Sequence, residues 1–156
     1  YNADQAEAAI ARLRAAIPHV QLTTDMIVGF PGETEEEFAA SLAFARRVGF
    51  LHIHVFPYSR RPGTKADAMP EQLSHAVKSA RAHEAQRGAD ACKQRYLVQQ
   101  VGQTLPVLFE TEHDGNWVGH SDNYCLVRAA GDDLRGLVKN VKISAVSGQM
   151  LVGDLV

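Results

Sequence analysis

The stretch Val28–Phe38, "VGFPGETEEEF", joins an apolar run to an acidic one through two glycines and a proline. It is not a P-loop, because Gly32 is followed by Glu33 rather than by lysine, and the acids would repel a polyphosphate. A dinucleotide fingerprint needs three glycines spaced G-x-G-x-x-G, and this stretch has two. Two interpretations remain: a plain strand-to-helix turn, which spacing alone favours, or a strand end whose glycines leave room for a flat ring beside the backbone.

The residues on either side of this stretch predict a βαβ unit. The second half of "VQLTTDMIVGF" (Val20–Phe30) is a nearly continuous apolar run, the pattern of a strand covered on both faces, as strands of parallel sheets are. Thr34 and Glu37 form a capping box, which predicts a helix that Gly49 ends in a left-handed cap. A second apolar run, "FLHIHVFPYS" (Phe50–Ser59), predicts the next strand. This order gives parallel strands joined by a right-handed crossover.

Two further helices and a turn are predicted outside this unit. Residues 4–16 have apolar positions at helical spacing, and Pro18 is expected to close that helix. Pro62-Gly63 suits the centre of a type II turn. Residues from Pro70 to about Val98 predict a long helix that Gly88 either kinks or splits in two.

The chain after Gly102 changes to short alternating runs that predict a small barrel. Five such runs are separated by turn residues, of which Asp114-Gly115 is a strong hairpin signal. Five strands in about 55 residues suit a barrel of the size of oligonucleotide-binding folds. The fold class is therefore α/β followed by a small all-β barrel. Two parallel strands cannot cover themselves, so we also expect more of the α/β part to precede this chain.

The composition is that of a soluble globular protein of 156 residues, with 46% apolar and 22% charged residues. It has neither an apolar run of about 20 residues nor a signal peptide, which predicts a cytoplasmic protein with no membrane partner. Cys92 and Cys125 are too few for a disulfide framework or a thiolate metal site. The net charge is −2, but residues 59–95 carry eight basic and four acidic side chains, so positive charge is concentrated in the middle.

Two segments, "TTDMIVGFPGETEEEF" (residues 23–38) and "HVFPYSRRPGTKA" (residues 54–66), resemble the late barrel strands of radical S-adenosylmethionine tRNA methylthiotransferases, the MiaB-like family. "YSRRPGT" (residues 58–64) and "YNADQ" (residues 1–5) are most similar to its MtaB subgroup, which adds a methylthio group to N6-threonylcarbamoyladenosine beside the anticodon. The resemblance covers the whole chain. It implies that residues 1–69 are the C-terminal part of a radical SAM TIM-type barrel, residues 70–100 a helical linker and residues 101–156 a TRAM β-barrel.

The resemblance also implies where S-adenosylmethionine would bind. The strand with "DMIVG" would lie along the adenine, and the next strand would offer backbone groups to the polar edge of the ring. Asp25 stands where related enzymes often have glycine, and Glu33 is the acid nearest to the expected ligand. The implied cofactor-binding residues are Asp25, Ile27, Gly29, Glu33, Phe56, Pro57 and Tyr58.

Two 4Fe-4S clusters are the other cofactors that the resemblance implies. Each would be held by three cysteines of the family, and this chain has neither set. No other residue type replaces those thiolates in cleaving the cofactor. The chain alone is therefore predicted to be inactive, with no catalytic and no metal-binding residue of its own. It would work with a missing N-terminal portion of the same enzyme.

The implied macromolecular partner is the anticodon stem-loop of tRNA. Basic residues after the second strand could track phosphates, and residues of the barrel could stack on bases or meet phosphates. A plain solvated helix is the competing interpretation for the helical cations, and core packing is the competing one for Trp117. The candidate RNA-binding residues are Arg60, Arg61, Lys65, Arg95, Trp117, Arg128, Lys139 and Lys142.

For two other groups of side chains, a structural role is favoured over metal binding or catalysis. His52 and His54 share a strand face and could chelate a metal, but a third ligand is missing nearby, so lining a barrel interior or meeting a carboxylate is preferred. The acids at 35–37 suit the start of a helix better than paired-carboxylate catalysis.

The sequence as a whole predicts the C-terminal part of a tRNA methylthiotransferase. One rival is a non-catalytic RNA-binding module in which the βαβ unit is only a platform. The other is a methylthiotransferase that acts on a ribosomal protein. An upstream CxxxCxxC motif would distinguish the enzymes from the module.

Overall fold

The computed structural model describes residues 2–17 and 20–156, and the chain divides into two compact units, Tyr1–Lys93 and Gln94–Val156. Helix α1 (Ala3–Ala16) opens the first unit. Asn2 and Gln5 form its capping box, and the backbone N–H of Ile17 closes its last turn on Leu13. Pro18, which was expected to close this helix, lies outside the described residues, as does Tyr1 of the "YNADQ" segment.

The predicted βαβ unit is confirmed. It consists of β1 (Thr23–Val28), α2 (Glu35–Val48) and β2 (His52–Pro57), and the two strands pair in parallel. The capping box of Thr34 and Glu37 forms, and the acids of the first turn lie at the positive end of the helix. Gly49 ends α2 with φ +66°, a left-handed conformation that glycine adopts without steric cost.

The sheet is covered on one face only by the described residues, so the prediction of two doubly buried strands is wrong for this chain. The covered face packs Met26, Val28 and Ile53 against apolar residues of the helices. Ile27 and Phe56 belong to the opposite face and are 58% and 50% exposed. The burial of β1 alternates along the strand, because α2 returns over one side of the sheet.

The segment after β2 turns before the longest helix begins. Gly63 has φ +83°, and the N–H of Thr64 donates to the carbonyl of Arg61 at 3.2 Å, which confirms the turn at Pro62-Gly63. Helix α3 (His75–Gln100) begins five residues later than predicted, and Gly88 does not split it. Among the helices of the described residues, none has the length and apolar character needed to cross a membrane.

The second unit contains the predicted five-stranded barrel. Its strands are β3 (Thr104–His113), β4 (Asn116–Ser121), β5 (Leu126–Ala130), β6 (Val138–Ser147) and β7 (Met150–Leu155). They close in the order β3-β4-β5-β7-β6. Asp114 and Gly115 both have positive φ in the β3–β4 hairpin, as a tight primed turn requires. The interior is filled by fully buried side chains that include Val107, Phe109 and Ile143.

Tyr96, near the end of α3, is expected to make the second unit less stable at high pH. Burial, with Cys125 adding and the hydrogen bond from Asn123 opposing, raises the pKa of Tyr96 to about 12. The unfolded phenol ionises near pH 10, so the folded state keeps a proton that the unfolded state loses. Stability should therefore fall as pH rises from about 10 to about 12, by at most about 3 kcal/mol, because solvent screening around the partly buried phenol reduces the full effect.

Urea unfolding at several pH values, followed by the fluorescence of Trp117, measures this decline in the second unit. Tyr96→Phe should flatten the decline in that window, because it removes the titrating group and keeps the ring. The variant loses the hydrogen bond that Asn123 donates to the Tyr96 hydroxyl at 2.9 Å, so it should be slightly less stable at neutral pH. An equally steep decline in the variant would assign the effect to other groups.

Candidate ligand site at the strand ends

The carboxyl ends of β1 and β2 lie side by side. Ile27 is in register with Phe56, and Val28 is in register with Pro57. Beyond the paired residues, the N–H of Tyr58 donates to the carbonyl of Val28 at 2.8 Å. The structure thus brings together most of the residues that the sequence suggested for a cofactor, at the edge where parallel α/β folds bind ligands.

The uncovered face of the sheet presents three cross-strand pairs in rows. Each row joins one residue of β1 to one of β2, namely Thr23–His52, Asp25–His54 and Ile27–Phe56. The ring of His54 stacks on that of Phe56 with their centroids 6.4 Å apart, and the ring centroids of His52 and His54 are 4.3 Å apart. The last row is apolar, and Ile27 is 58% exposed and Phe56 50% exposed. A flat aromatic ring could lie on Ile27 and Phe56, with polar groups of the other rows along its edge.

The backbone of Gly29 is covered on the side where a Cβ would lie. It has φ +72°, and the space that a Cβ would take is filled by the stem of Lys78 from α3. A Cβ at Gly32 would lie 3.2 Å from the carboxylate of Glu71, and the N–H of Gly32 donates to the Glu71 carbonyl at 3.1 Å. The segment 71–78 therefore closes this side of the turn. Room for a ring remains on the open face at Ile27, and not over the two glycines.

Glu33 is held inside the turn by a buried arginine. Its carboxylate accepts the N–H of Gly29 at 2.6 Å and pairs with the guanidinium of Arg81 at 2.6 Å. Arg81 is 5% exposed and also donates to the Glu33 carbonyl at 2.9 Å and to the Glu35 carboxylate at 2.5 Å. Burial lowers the pKa of Arg81, but the hydrogen bonds to the two carboxylates outweigh it and raise the pKa above its usual value. This geometry gives Glu33 a structural role in the turn.

Sequence reasoning missed Arg81. By sequence it is one of several cations of α3, and its partner Glu33 lies 48 residues away. The available signal was its neighbourhood, because Ala82, Ala85 and Ala89 mark a face of α3 that packs close to the sheet. A cation within such a face must be paired.

The two histidines of β2 make a close pair. The pKa of His52 is lowered, first by burial and then by the neighbouring charge of His54 and of Lys93. Residues 2–17 and 20–156 contain no group of three His, Cys, Asp or Glu side chains that could hold a metal ion. Both residues belong to the uncovered face of the sheet, where His52 is in register with Thr23 and His54 with Asp25.

The suggested RNA-binding residues of the first unit are exposed. Arg60 is 57% exposed and pairs with Asp67 at 2.7 Å, and it also donates to the Asp67 carbonyl at 2.9 Å. Arg61 and Lys65 are exposed in the loop that follows. Together they form a basic rim beyond the end of β2.

In the second unit the candidates separate into core and surface. Trp117 is 6% exposed, which favours core packing over base stacking. Lys139 and Lys142 are exposed, Arg128 is half-buried and Arg95 is exposed on α3. The ammonium of Lys142 donates to the carbonyl of Gly102 at 2.6 Å. Tyr124, in the loop between β4 and β5, is an aromatic residue of this unit that is 81% exposed, with φ +60°.

No protein-family model matches the chain, but curated proteins do. The chain is 39% identical over 138 residues to the threonylcarbamoyladenosine tRNA methylthiotransferase MtaB of Bacillus subtilis, which covers 85% of this chain and 31% of that protein. It is 41% identical to the tRNA-2-methylthio-N(6)-dimethylallyladenosine synthase of Maricaulis maris, over 99% of this chain and 35% of that protein. The synthase of the same name from Chloroflexus aurantiacus is 37% identical, over 98% and 34% respectively.

The chain spans about a third of the length of these curated relatives. The matches extend over both units, because two of them cover nearly the whole chain. The resemblance inferred from the two strand segments is thus confirmed at the level of homology. The homologues of this chain are tRNA methylthiotransferases.

Proposed function

We propose that this chain works as the C-terminal part of a radical S-adenosylmethionine tRNA methylthiotransferase. In this proposal the first unit supplies late strands of the catalytic barrel, and the second unit is the TRAM domain that helps to hold tRNA. The enzyme would act in the cytoplasm on N6-threonylcarbamoyladenosine beside the anticodon. The homology to tRNA methylthiotransferases and the open face of the two-stranded sheet support it.

The open face carries the proposal. Soluble domains seldom leave neighbouring apolar residues such as Ile27 and Phe56 exposed on a regular sheet unless something binds there. Ile27 and Phe56 would hold the adenine of S-adenosylmethionine by apolar contact, and Asp25 and His54 lie one row below to meet polar atoms. When bound, the cofactor would supply both the radical and the methyl group. The residues described here would bind and orient it.

Iron–sulfur clusters do not fit the residues of this chain. Each cluster needs at least three thiolates close together, whereas Cys92 and Cys125 are both buried and belong to different units. Cluster ligands would come from the N-terminal portion of the enzyme. Hence we expect the 156-residue chain, incubated with S-adenosylmethionine under reducing anaerobic conditions, to form no 5′-deoxyadenosine.

Nucleoside analysis of tRNA tests the proposal. The full-length protein, reconstituted anaerobically with iron, sulfide and S-adenosylmethionine, should convert threonylcarbamoyladenosine of unmodified tRNA into its methylthio derivative. Ile27→Asp should lower the product at least tenfold, because it places a charge where the ring would lie, at a cost of over 1.4 kcal/mol. Leu13→Asp, a matched change at an exposed position of α1, should leave the product level unchanged.

Three results would contradict this assignment. An Ile27→Asp enzyme as active as the Leu13→Asp control would show that the open face does not hold the cofactor. Methylthio product only on dimethylallyladenosine would refute the proposed nucleoside. Product only on a ribosomal protein, or none with any substrate, would refute tRNA methylthiolation itself.

A further inference from the structure

A second concave site lies on the first unit, between the loop after β2 and the beginning of α3. It is a cavity of about 620 Å³ bounded by residues 57–60 and by His75, Lys78, Ser79 and His83 on the helix. These helix positions recur at three and four residues, so they face one side of α3 over its first three turns. The cavity is distinct from the open face of the sheet, whose last apolar row is formed by Ile27 and Phe56.

The lining of the cavity is basic. Arg60, Lys78 and two histidines contribute to it, along with the hydroxyls of two serines, and no carboxylate lines it among the described residues. Asp67 pairs with Arg60 from outside the lining and holds its guanidinium in place. A concave surface with cations and hydroxyl donors and no acid suits an anion.

Lys78 is held ready for such an anion. Its stem fills the space over Gly29, and its ammonium lies 5.6 Å from the ring centre of Tyr58. In the part of the chain that the structure describes, this ammonium has no ion pair or hydrogen bond. The charge is thus fixed by packing and remains available, which lowers the entropic cost of binding a ligand.

Tyr58 supplies an independent sign of a ligand. Its ring lies in the wall of the cavity and makes an edge contact with Phe30 at 5.2 Å. Its hydroxyl is buried and has no hydrogen-bond partner among the described residues. A buried hydroxyl without a partner is costly. After a small movement of the ring, this hydroxyl could donate a hydrogen bond to an oxygen atom of a bound anion.

We propose that this cavity binds a backbone phosphate of the RNA substrate. The donors present, one guanidinium, one ammonium and hydroxyls, are those that proteins use for phosphate oxygens. The volume exceeds that of a phosphate, so a nucleotide of a continuous strand can enter and leave. Arg61 and Lys65 follow Arg60 in the chain, are exposed, and add positive charge to that segment. The inference rests on the proposed function, since it names the contact that holds the tRNA.

Fluorescence anisotropy with an anticodon stem-loop RNA and the 156-residue chain, over a series of salt concentrations, tests it. Lys78→Met keeps the stem over Gly29 and removes the charge, so its Kd should rise about tenfold and its salt slope should fall by about one. Lys78→Arg should keep most of the affinity and the wild-type slope. Arg12→Gln, on α1 outside the cavity, removes the same charge and should change Kd less than twofold.

The results separate the inference from its alternatives. A Lys78→Met protein that melts like the wild type yet binds RNA as the Arg12→Gln control does would overturn it. So would inorganic phosphate that shifts the NMR signals of Ser79 and His83 without competing with the RNA, because the source would then be a free anion. If Lys78→Met loses RNA affinity as expected, but the wild-type enzyme makes no methylthio product, this site would be supported and only the proposed reaction would be refuted.

Discussion

Arg81→Met is expected to lower the free energy of unfolding of the first unit by about 3–5 kcal/mol. Arg81 is 5% exposed, and the side chain of its partner Glu33 is 12% exposed. Methionine fills a similar volume but leaves the Glu33 carboxylate with the Gly29 N–H and no countercharge. A buried carboxylate without a countercharge costs more than the salt bridge itself contributes.

Glu35, the second carboxylate that contacts Arg81, provides a matched control. Glu35 also binds Arg81, but its side chain is 76% exposed, so water replaces the lost contact. Glu35→Gln should therefore cost less than about 1 kcal/mol. Urea unfolding followed by far-UV circular dichroism measures both variants, and exchange of the Gly29 amide hydrogen should quicken in Arg81→Met alone.

A double variant tests the cause. Glu33→Gln combined with Arg81→Met removes both charges, so the double variant should be more stable than the sum of the two single costs predicts, by more than about 1 kcal/mol. Costs that simply add would mean that Arg81 acts through packing on Phe38, over whose ring its guanidinium lies at 5.3 Å. A loss below about 1 kcal/mol in Arg81→Met would refute the buried pair as a main support of the turn.

Local features of the chain could be predicted from the sequence because neighbouring residues determine them. The capping box of Thr34 and Glu37 closes within one turn, and Gly49 needs only its own freedom of φ. Asp114-Gly115 determines a hairpin by its turn geometry alone. The alternation that follows it then assigns the inner face of the barrel, where Val107 and Phe109 are fully buried.

Features that depend on distant partners could not be predicted in the same way. Nothing near Gly29 in the sequence shows that Lys78 would fill the space beside it, 49 residues on. The pair of Glu33 and Arg81 joins a turn to a helix face whose rotation depends on packing. From the sequence, Trp117 could lie on the surface or in the core, and the register of β4 places it inside the barrel.

The apolar run of β1 shows how the same signal can mislead. Apolar residues on both faces correctly indicated a strand of a parallel sheet, yet the face that carries Ile27 is uncovered by the described residues. The pattern predicted cover on both faces, and the sequence also indicated that two parallel strands cannot supply that cover by themselves. In this chain the same pattern instead marks the face proposed to bind a cofactor.

Gly119→Ala is expected to destabilise the barrel by at least about 3 kcal/mol. A Cβ at this position of β4 would lie 2.7 Å from the carbonyl carbon of Leu108 and from the Cα of Phe109, and still closer to the Leu108 oxygen. All of these are backbone atoms of β3, where a register shift between Phe109 and Thr111 marks a bulge. The strands cannot separate there without breaking the closed sheet.

The expected loss is large for a unit of this size, whose total stability should be about 3–9 kcal/mol. Trp117, the chain's one tryptophan, is two residues away and buried, so its fluorescence in urea reports the barrel directly. Gly88→Ala is the matched control, because a Cβ on α3 at that position meets nothing within 4 Å. It should stabilise the first unit by about 0.5–1 kcal/mol, since alanine favours helix interiors. A Gly119→Ala barrel that unfolds at the wild-type urea concentration would contradict the close approach of β3 and β4 and, with it, the reason for glycine there.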